Sequence, residues 1–162
     1  MAKQKKHKIL IVCTGNTCRS PMAKVILEKL LEDNDLKDQV LVSSAGIISL
    51  GGAPASKMAV EVCRDNGLDL STHQSKRLTD SIIRDADLII VMEQMHKELI
   101  LKTNSADINK IKLLSEFVQD GSMVLDIEDP YGGNRDQYEH AYIDIELCLK
   151  GLVSELSGKP PA

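Results

Sequence analysis

Four short apolar runs, Ile9–Val12, Gln39–Ser43, Leu88–Met92 and Lys110–Leu114, read as buried strands bounded by polar residues. Helical patterns fill the stretches between and after them, at Pro21–Glu32, Ser56–Asn66, Gln94–Leu101 and Arg135–Leu156. In the first of these, Met22, Val25, Ile26 and Leu30 fall at helical spacing. Gly67 suits a helix C-cap, and Leu78-Thr79-Asp80 before Ile82-Ile83 reads as the cap and first turn of another short helix. Strands alternating with helices imply an α/β fold with parallel strands and right-handed crossovers. In an open parallel sheet, ligands bind beyond the carboxyl ends of the strands. Cys13, Ser43-Ser44-Ala45-Gly46, Glu93 and the stretch Asp126–Gly133 all belong on that rim.

Composition narrows the picture. At 162 residues the chain is expected to form one domain over residues 1–156, with a frayed, proline-containing tail at 157–162. The only aromatics are Phe117, Tyr131, Tyr138 and Tyr142, so the core must be aliphatic. A formal charge of -4 argues against nucleic acid or an anionic membrane as partner. The basic start, Lys3, Lys5, Lys6 and Lys8, reads as a solvated lead-in to the first strand. No apolar stretch of roughly 7–15 residues precedes that strand, as a secretory signal requires, and no run approaches the ~18 residues of a membrane span. Cys13, Cys18, Cys63 and Cys148 are too sparse and uneven for a disulfide scaffold or a structural zinc site. A reducing cytoplasm fits them best, and neither a metal nor another cofactor is expected.

The chemistry concentrates in Cys13-Thr14-Gly15-Asn16-Thr17-Cys18-Arg19-Ser20, which links the first strand to the first helix. Pro21, close to the helix start, has no N–H to leave unpaired there. Backbone N–H groups and the positive helix end converge on one small cavity, which suits a phosphate. Gly15 and Asn16 are the residue types that best tolerate left-handed backbone, so the turn can close tightly. Arg19 can grip two phosphate oxygens with its planar fork. The same positive charge favours the thiolate of Cys13, the form that attacks phosphorus to give a phosphocysteine. Ser20 can donate a hydrogen bond to that sulfur and ease its departure in a second step. No Gly-Lys-Ser/Thr follows, so this is not a nucleotide-binding P-loop. Phosphoryl transfer also needs an acid for the leaving group. Asp129, held extended by Pro130 in Asp129-Pro130-Tyr131-Gly132-Gly133, is the leading candidate, with Asp126 and Glu128 as competitors. Tyr131 is placed to wall a substrate slot.

Val12-Cys13-x-Gly15-Asn16-x-Cys18-Arg19-Ser20-Pro21, together with Asp129-Pro130-Tyr131, resembles the signature of the low-molecular-weight protein tyrosine phosphatases. The resemblance extends to Ser44-Ala45-Gly46 and to Gly67-Leu68-Asp69-Leu70-Ser71-x-His73, and so covers nearly the whole chain. It implies a three-layer fold, a four-stranded parallel sheet with helices on both faces and the phosphatase loop after the first strand. It implies Cys13 as nucleophile, Arg19 as phosphate clamp and Asp129 as general acid, then base. Thr14, Gly15, Asn16, Thr17, Cys18 and Ser20 would complete the loop, supported by a network through Asn16, Ser20, Ser44 and His73. Cys18 would be the redox partner of Cys13.

Thr17 departs from the tyrosine-directed pattern, where Ile or Leu is common, and is similar to the bacterial protein arginine phosphatase branch. Gly132-Gly133 is similar to that branch too. A short hydroxylated side chain is less suited to packing on a phenyl ring and can orient a polar guanidinium. The expected activity is therefore a cysteine-dependent protein phosphatase acting on phosphoarginine, with phosphotyrosine as the alternative. A second departure is Glu93, where the family often has Met-Asp. An arsenate reductase of this fold needs two further, closely spaced cysteines, and residues 64–147 contain none. A sugar-transport phosphocarrier would lack both the arginine and the Asp-Pro acid. The expected partners are phosphorylated proteins, and a monomer is expected.

Overall fold

The computed structural model describes residues 2–103 and 106–158. Its centre is β1 (His7–Cys13), whose last five residues are all buried. β1 pairs in parallel with β2 (Val40–Gly46) on one side and β3 (Leu88–Val91) on the other, and β3 pairs in parallel with β4 (Ile111–Leu113). The order β2-β1-β3-β4 makes β1 and β3 interior strands. Burial on both faces explains why β1 and β3 are continuous apolar runs rather than alternating ones.

Among the described residues, five α-helices cover the sheet: α1 (Arg19–Asp33), α2 (Lys57–Asp65), α3 (Asp80–Asp85), α4 (Gln94–Thr103) and α5 (Arg135–Ser157). Alternate residues of β1 sort the layers. Ile9, Ile11 and Cys13 join the larger core with Met22 and Ile26 of α1, Val62 of α2 and Ile145 of α5. Leu10 and Val12 join the smaller core with Ile83 of α3, Ile100 of α4 and Ile111 of β4. The fold is thus a three-layer α/β sandwich with helices on both faces, as the resemblance implies. Each such aliphatic side chain contributes ~1.5–3 kcal/mol by leaving water.

The connection from β1 leads out to β2, and the connection from β3 leads the opposite way to β4. The two chains therefore part at the carboxyl end of the central strands, the place where this topology opens a crevice. Register puts Cys13 directly beside Gly46, so the first turn is built against the end of β2.

Local signals explain the element ends. Thr79 caps α3 by accepting from the Ile82 N–H, and Asn134 caps α5 by accepting from the Gln137 N–H. α2 closes through Gly67: its N–H reaches the Arg64 carbonyl, and its positive φ turns the chain so that the Leu68 N–H reaches the Cys63 carbonyl. Two residues of the expected frayed tail are ordered instead: Ser157 ends α5 and Gly158 caps it in left-handed geometry, a stop that needs glycine's freedom. Residues 159–162 lie outside the described residues. Among the described residues, no helix is long and apolar enough to cross a membrane.

Candidate active site

The turn after β1 is held by one buried side chain. Asn16 is fully buried and takes a left-handed φ of 57°. Its Nδ2 donates to Ser20 Oγ at 2.7 Å and to Ser44 Oγ at 3.0 Å. Its Oδ1 accepts from the Lys76 N–H at 2.9 Å, and its main-chain carbonyl accepts from His73 Nε2 at 2.8 Å. The imidazole of His73 is pushed below its ordinary range by burial, with Lys24 and Lys76 adding to the effect against the hydrogen bond to Asn16. Asparagine serves here because it tolerates the left-handed region and offers both donor and acceptor. The anticipated quartet of Asn16, Ser20, Ser44 and His73 is therefore in contact.

Ser20 Oγ lies 2.9 Å from Cys13 Sγ. Toward a Cys13 thiolate, which has no proton to give, the Ser20 hydroxyl is the donor of this pair. α1 begins at Arg19 behind an N-cap, Cys18, that makes no side-chain capping bond, whereas α2, α3 and α5 are each capped by a side chain. The first N–H groups of α1 are thus left to face whatever occupies the turn.

Arg19 is 1% exposed, and both of its terminal nitrogens have partners. Nη1 donates to Glu93 Oε1 at 2.7 Å and to the Ile127 carbonyl at 2.8 Å. Nη2 lies 3.4 Å from Thr14 Oγ1 and 3.5 Å from Asp129 Oδ2. One edge of the guanidinium is thereby locked and the other faces the cavity. That cavity, of about 360 Å³, is lined by Cys13, Thr14, Gly15, Thr17, Cys18, Arg19, Ile48, Asp129 and Tyr131.

The three candidate acids separate cleanly. Ile127 is wholly buried, and its N–H donates to the Met92 carbonyl at 2.9 Å. Asp126 turns to α4 and accepts from the Gln94 N–H at 2.9 Å. Glu128 is exposed and does not line the cavity. Asp129 reaches Arg19, with its Oδ1 accepting from the Tyr131 N–H at 3.1 Å. Tyr131, 75% exposed, lines the cavity together with Ile48.

Several contributors escaped the sequence reading. Rim position and family resemblance give Gly46 no stated task, but a Cβ there would lie 2.8 Å from both Asn16 N and Gly15 C. Its lack of a side chain lets the turn sit against β2. Glu93 was noted as a departure, and it anchors Arg19. Ile127 works through its carbonyl, which no side-chain pattern announces. Cys18 Sγ contacts Ser56 Oγ and Tyr138 OH, each at 3.4 Å. His96, 1% exposed, contacts Thr14 Oγ1 through Nε2 at 2.9 Å. Its place three residues after Glu93, in the first turn of α4, was the available signal.

Chemically, the arrangement can hold a tetrahedral oxyanion over a hydrogen-bonded sulfur, with a carboxyl group on the open side. The comparisons agree. A family model described as low molecular weight phosphotyrosine protein phosphatase matches residues 8–161. A probable low molecular weight protein-tyrosine-phosphatase, EpsP, of Ralstonia nicotianae is 39% identical over 144 residues, covering 89% of this chain and 90% of that protein. A protein-arginine-phosphatase of Bacillus subtilis is 36% identical over 148 residues, covering 91% of this chain and 95% of that one. A solved structure of the YwlE arginine phosphatase, a mutant with a phosphorylated active site serine, matches with a TM-score of 0.84 at 35% identity, covering 92% and 95% of the two chains.

Proposed function

The chain belongs to the low molecular weight phosphotyrosine protein phosphatase family and is a protein phosphatase, and on that premise we propose that it hydrolyses phosphoarginine in proteins, with Cys13, Arg19 and Asp129 carrying the reaction. The observation that supports this assignment is the shared cavity, in which Cys13, Arg19 and Asp129 meet with Thr17 beside them.

The phosphoryl group sits in the turn, its oxygens held by backbone N–H groups and by the Nε–Nη2 edge of Arg19. The Cys13 thiolate attacks phosphorus as Asp129 delivers its proton to the departing guanidine nitrogen. The P–N bond breaks and a P–S bond forms. Asp129, now a carboxylate, takes a proton from water, whose oxygen attacks phosphorus. The P–S bond breaks, phosphate leaves and the thiolate returns, steadied by the Ser20 hydroxyl. In the YwlE structure the phosphorylated serine occupies the part that phosphocysteine plays here. Glu93 and Ile127 keep Arg19 aimed, and Asn16, Ser44 and His73 hold the turn. Cys18 stands next to Arg19 in the same turn and would trap Cys13 as a reversible disulfide under peroxide. We also place the enzyme in the cytoplasm as a monomer, acting on phosphorylated proteins rather than on nucleic acid or membrane.

Thr17 supports phosphoarginine, because its hydroxyl suits a polar guanidinium better than a phenyl face. The flanking Ile48 and Tyr131 favour a second reading, phosphotyrosine, since both could pack on an aromatic ring. The protein-tyrosine-phosphatase name of the EpsP relative points the same way. The ratio of kcat/KM on matched phosphoarginine and phosphotyrosine peptides tests the two. A ratio above one is expected, and Thr17→Ile should lower it by about tenfold, the scale of a methylene-sized change in a pocket. A ratio below one, unmoved by Thr17→Ile, would transfer the assignment to phosphotyrosine.

A further inference from the structure

The hydroxyl of Thr14 presents a simple problem of proton placement. A threonine hydroxyl has one proton to give and two lone pairs. Among the described residues, Thr14 Oγ1 is approached by His96 Nε2 at 2.9 Å and by Arg19 Nη2 at 3.4 Å. Arg19 can only donate. The role of His96 follows from its other nitrogen, because Nδ1 lies 3.2 Å from the Glu93 N–H, which also can only donate. Nδ1 must therefore carry the lone pair and Nε2 the proton, so His96 donates to Thr14 as well. A neutral ring is required for this. Burial and the charge of Arg19 hold His96 below its ordinary range, against the opposing pull of Glu93, Asp126 and Asp129. Both lone pairs of Thr14 are thus occupied, and its proton is left for an acceptor in the cavity that it lines.

We infer that His96 is a positioning residue that fixes the Thr14 hydroxyl with its proton aimed into the cavity, making Thr14 a side-chain donor to phosphoryl oxygens. The inference rests on the reading of that cavity as the phosphate site. It gives the β3–α4 junction a second task. Through Glu93 this junction aims Arg19, and through the Glu93 N–H and His96 it aims Thr14. Two donors from the turn are set by one neighbouring corner of the sheet.

Binding of inorganic phosphate, followed by titration calorimetry, tests this without requiring turnover. His96→Gln keeps an N–H near the place of Nε2, whereas His96→Asn keeps only an acceptor for the Glu93 N–H. Thr14→Val should weaken phosphate binding roughly tenfold, the scale of a hydrogen bond to a charged group. His96→Asn should weaken it about as much, His96→Gln should stay within about threefold of the unmodified protein, and His96→Asn should add nothing in the Thr14→Val background. Equal losses for the Gln and Asn variants, or the same further loss from His96→Asn in both backgrounds, would overturn the inference while leaving the phosphate site intact. Failure of the unmodified protein to bind phosphate would overturn the reading of the site, and this inference with it.

Discussion

The two halves of the site are built in opposite ways. The turn from Cys13 to Ser20 is sunk into the protein, with Asn16, Arg19 and Ser20 at 0–1% exposure and every polar arm of Asn16 bonded. The segment that carries Asp129 lies on the surface. Its fixed points are the plug of Ile127, the Asp126 bond to α4 and the contact to Arg19, while Leu125 and Tyr131 are 75% exposed. The difference matches what the proposed reaction asks of each half. Donors aimed at developing charge stabilise it most when they need no rearrangement, which calls for an over-determined turn. A general acid must clear the mouth for a protein side chain and then return, which calls for few attachments. A rigid cradle under a looser acid follows.

Removing the group at the floor of the cradle should have the largest effect. Cys13→Ser should lower turnover by on the order of 10⁴-fold or more while phosphate still binds, because the turn does not depend on the thiol for its shape. Steady hydrolysis by that variant at more than about a hundredth of the normal rate would remove Cys13 from the nucleophile's role. Asp129→Ala comes next, at roughly 10²–10³-fold, within the range for a positioned acid. Its loss should be steepest for poor leaving groups and should leave the thermal midpoint nearly unchanged, since Asp129 holds little in place. A uniform loss across leaving groups would point instead to a binding role.

A pair of glycines separates the halves more finely. In Gly46→Ala the new Cβ would meet backbone atoms of Gly15 and Asn16 at 2.8 Å and Thr14 O at 2.9 Å, none of which can swing aside. The turn must shift, and a loss of about 10- to 100-fold in kcat/KM is expected from that misplacement. Gly132 has a φ of 75°, but nothing lies within 4 Å of the place a Cβ would take. Gly132→Ala should therefore cost only left-handed backbone strain, about 1–2 kcal/mol, with at most a few-fold change in kcat/KM. Equal kinetic damage from the two variants would mean that the acid loop is as exacting as the cradle.

The same contrast decides what the sequence disclosed. Chemistry written in adjacent residues was legible: Cys13, Asn16, Arg19 and Ser20 fall in one turn, and the apolar runs located the strands that present it. Asp129 was separable from Asp126 and Glu128 only by resemblance. Choosing among three nearby carboxylates depends on which way Ile127 turns, and that is set by a buried pocket formed from other parts of the chain. Gly46, Glu93 and His96 support the turn from positions 30 to 82 residues away in sequence. No local spacing encodes such contacts; they follow from the order β2-β1-β3, which sets Gly46 on one side of Cys13 and Glu93 on the other.

Acid should weaken the cradle and leave the acid loop alone, a smaller effect but one that isolates the cradle's supports. His73 and His96 hold the turn from two directions, through the Asn16 carbonyl and the Thr14 hydroxyl. Both sit below the ordinary imidazole value of 6.5 because burial disfavours their charged forms. Between that value and their lower values in the folded protein, the unfolded chain binds more protons, so stability rises with pH across the interval. Their contribution is fully present above about pH 6.5 and is lost as the pH falls through the folded-state values. Asp65, Asp69, Asp87 and Asp120 are also held low, but they start from 3.8 and act only in stronger acid. The residues from Asp126 to Asn134 include no histidine. The thermal midpoint should thus fall by roughly 2–4 °C between pH 7.5 and 5.5, the shift produced by a modest loss of stability in a chain of this size. Combining His73→Gln with His96→Gln should flatten that slope even though it lowers the midpoint at neutral pH. A slope unchanged in the double variant would place the acid sensitivity elsewhere and leave the cradle no more pH-dependent than the loop above it.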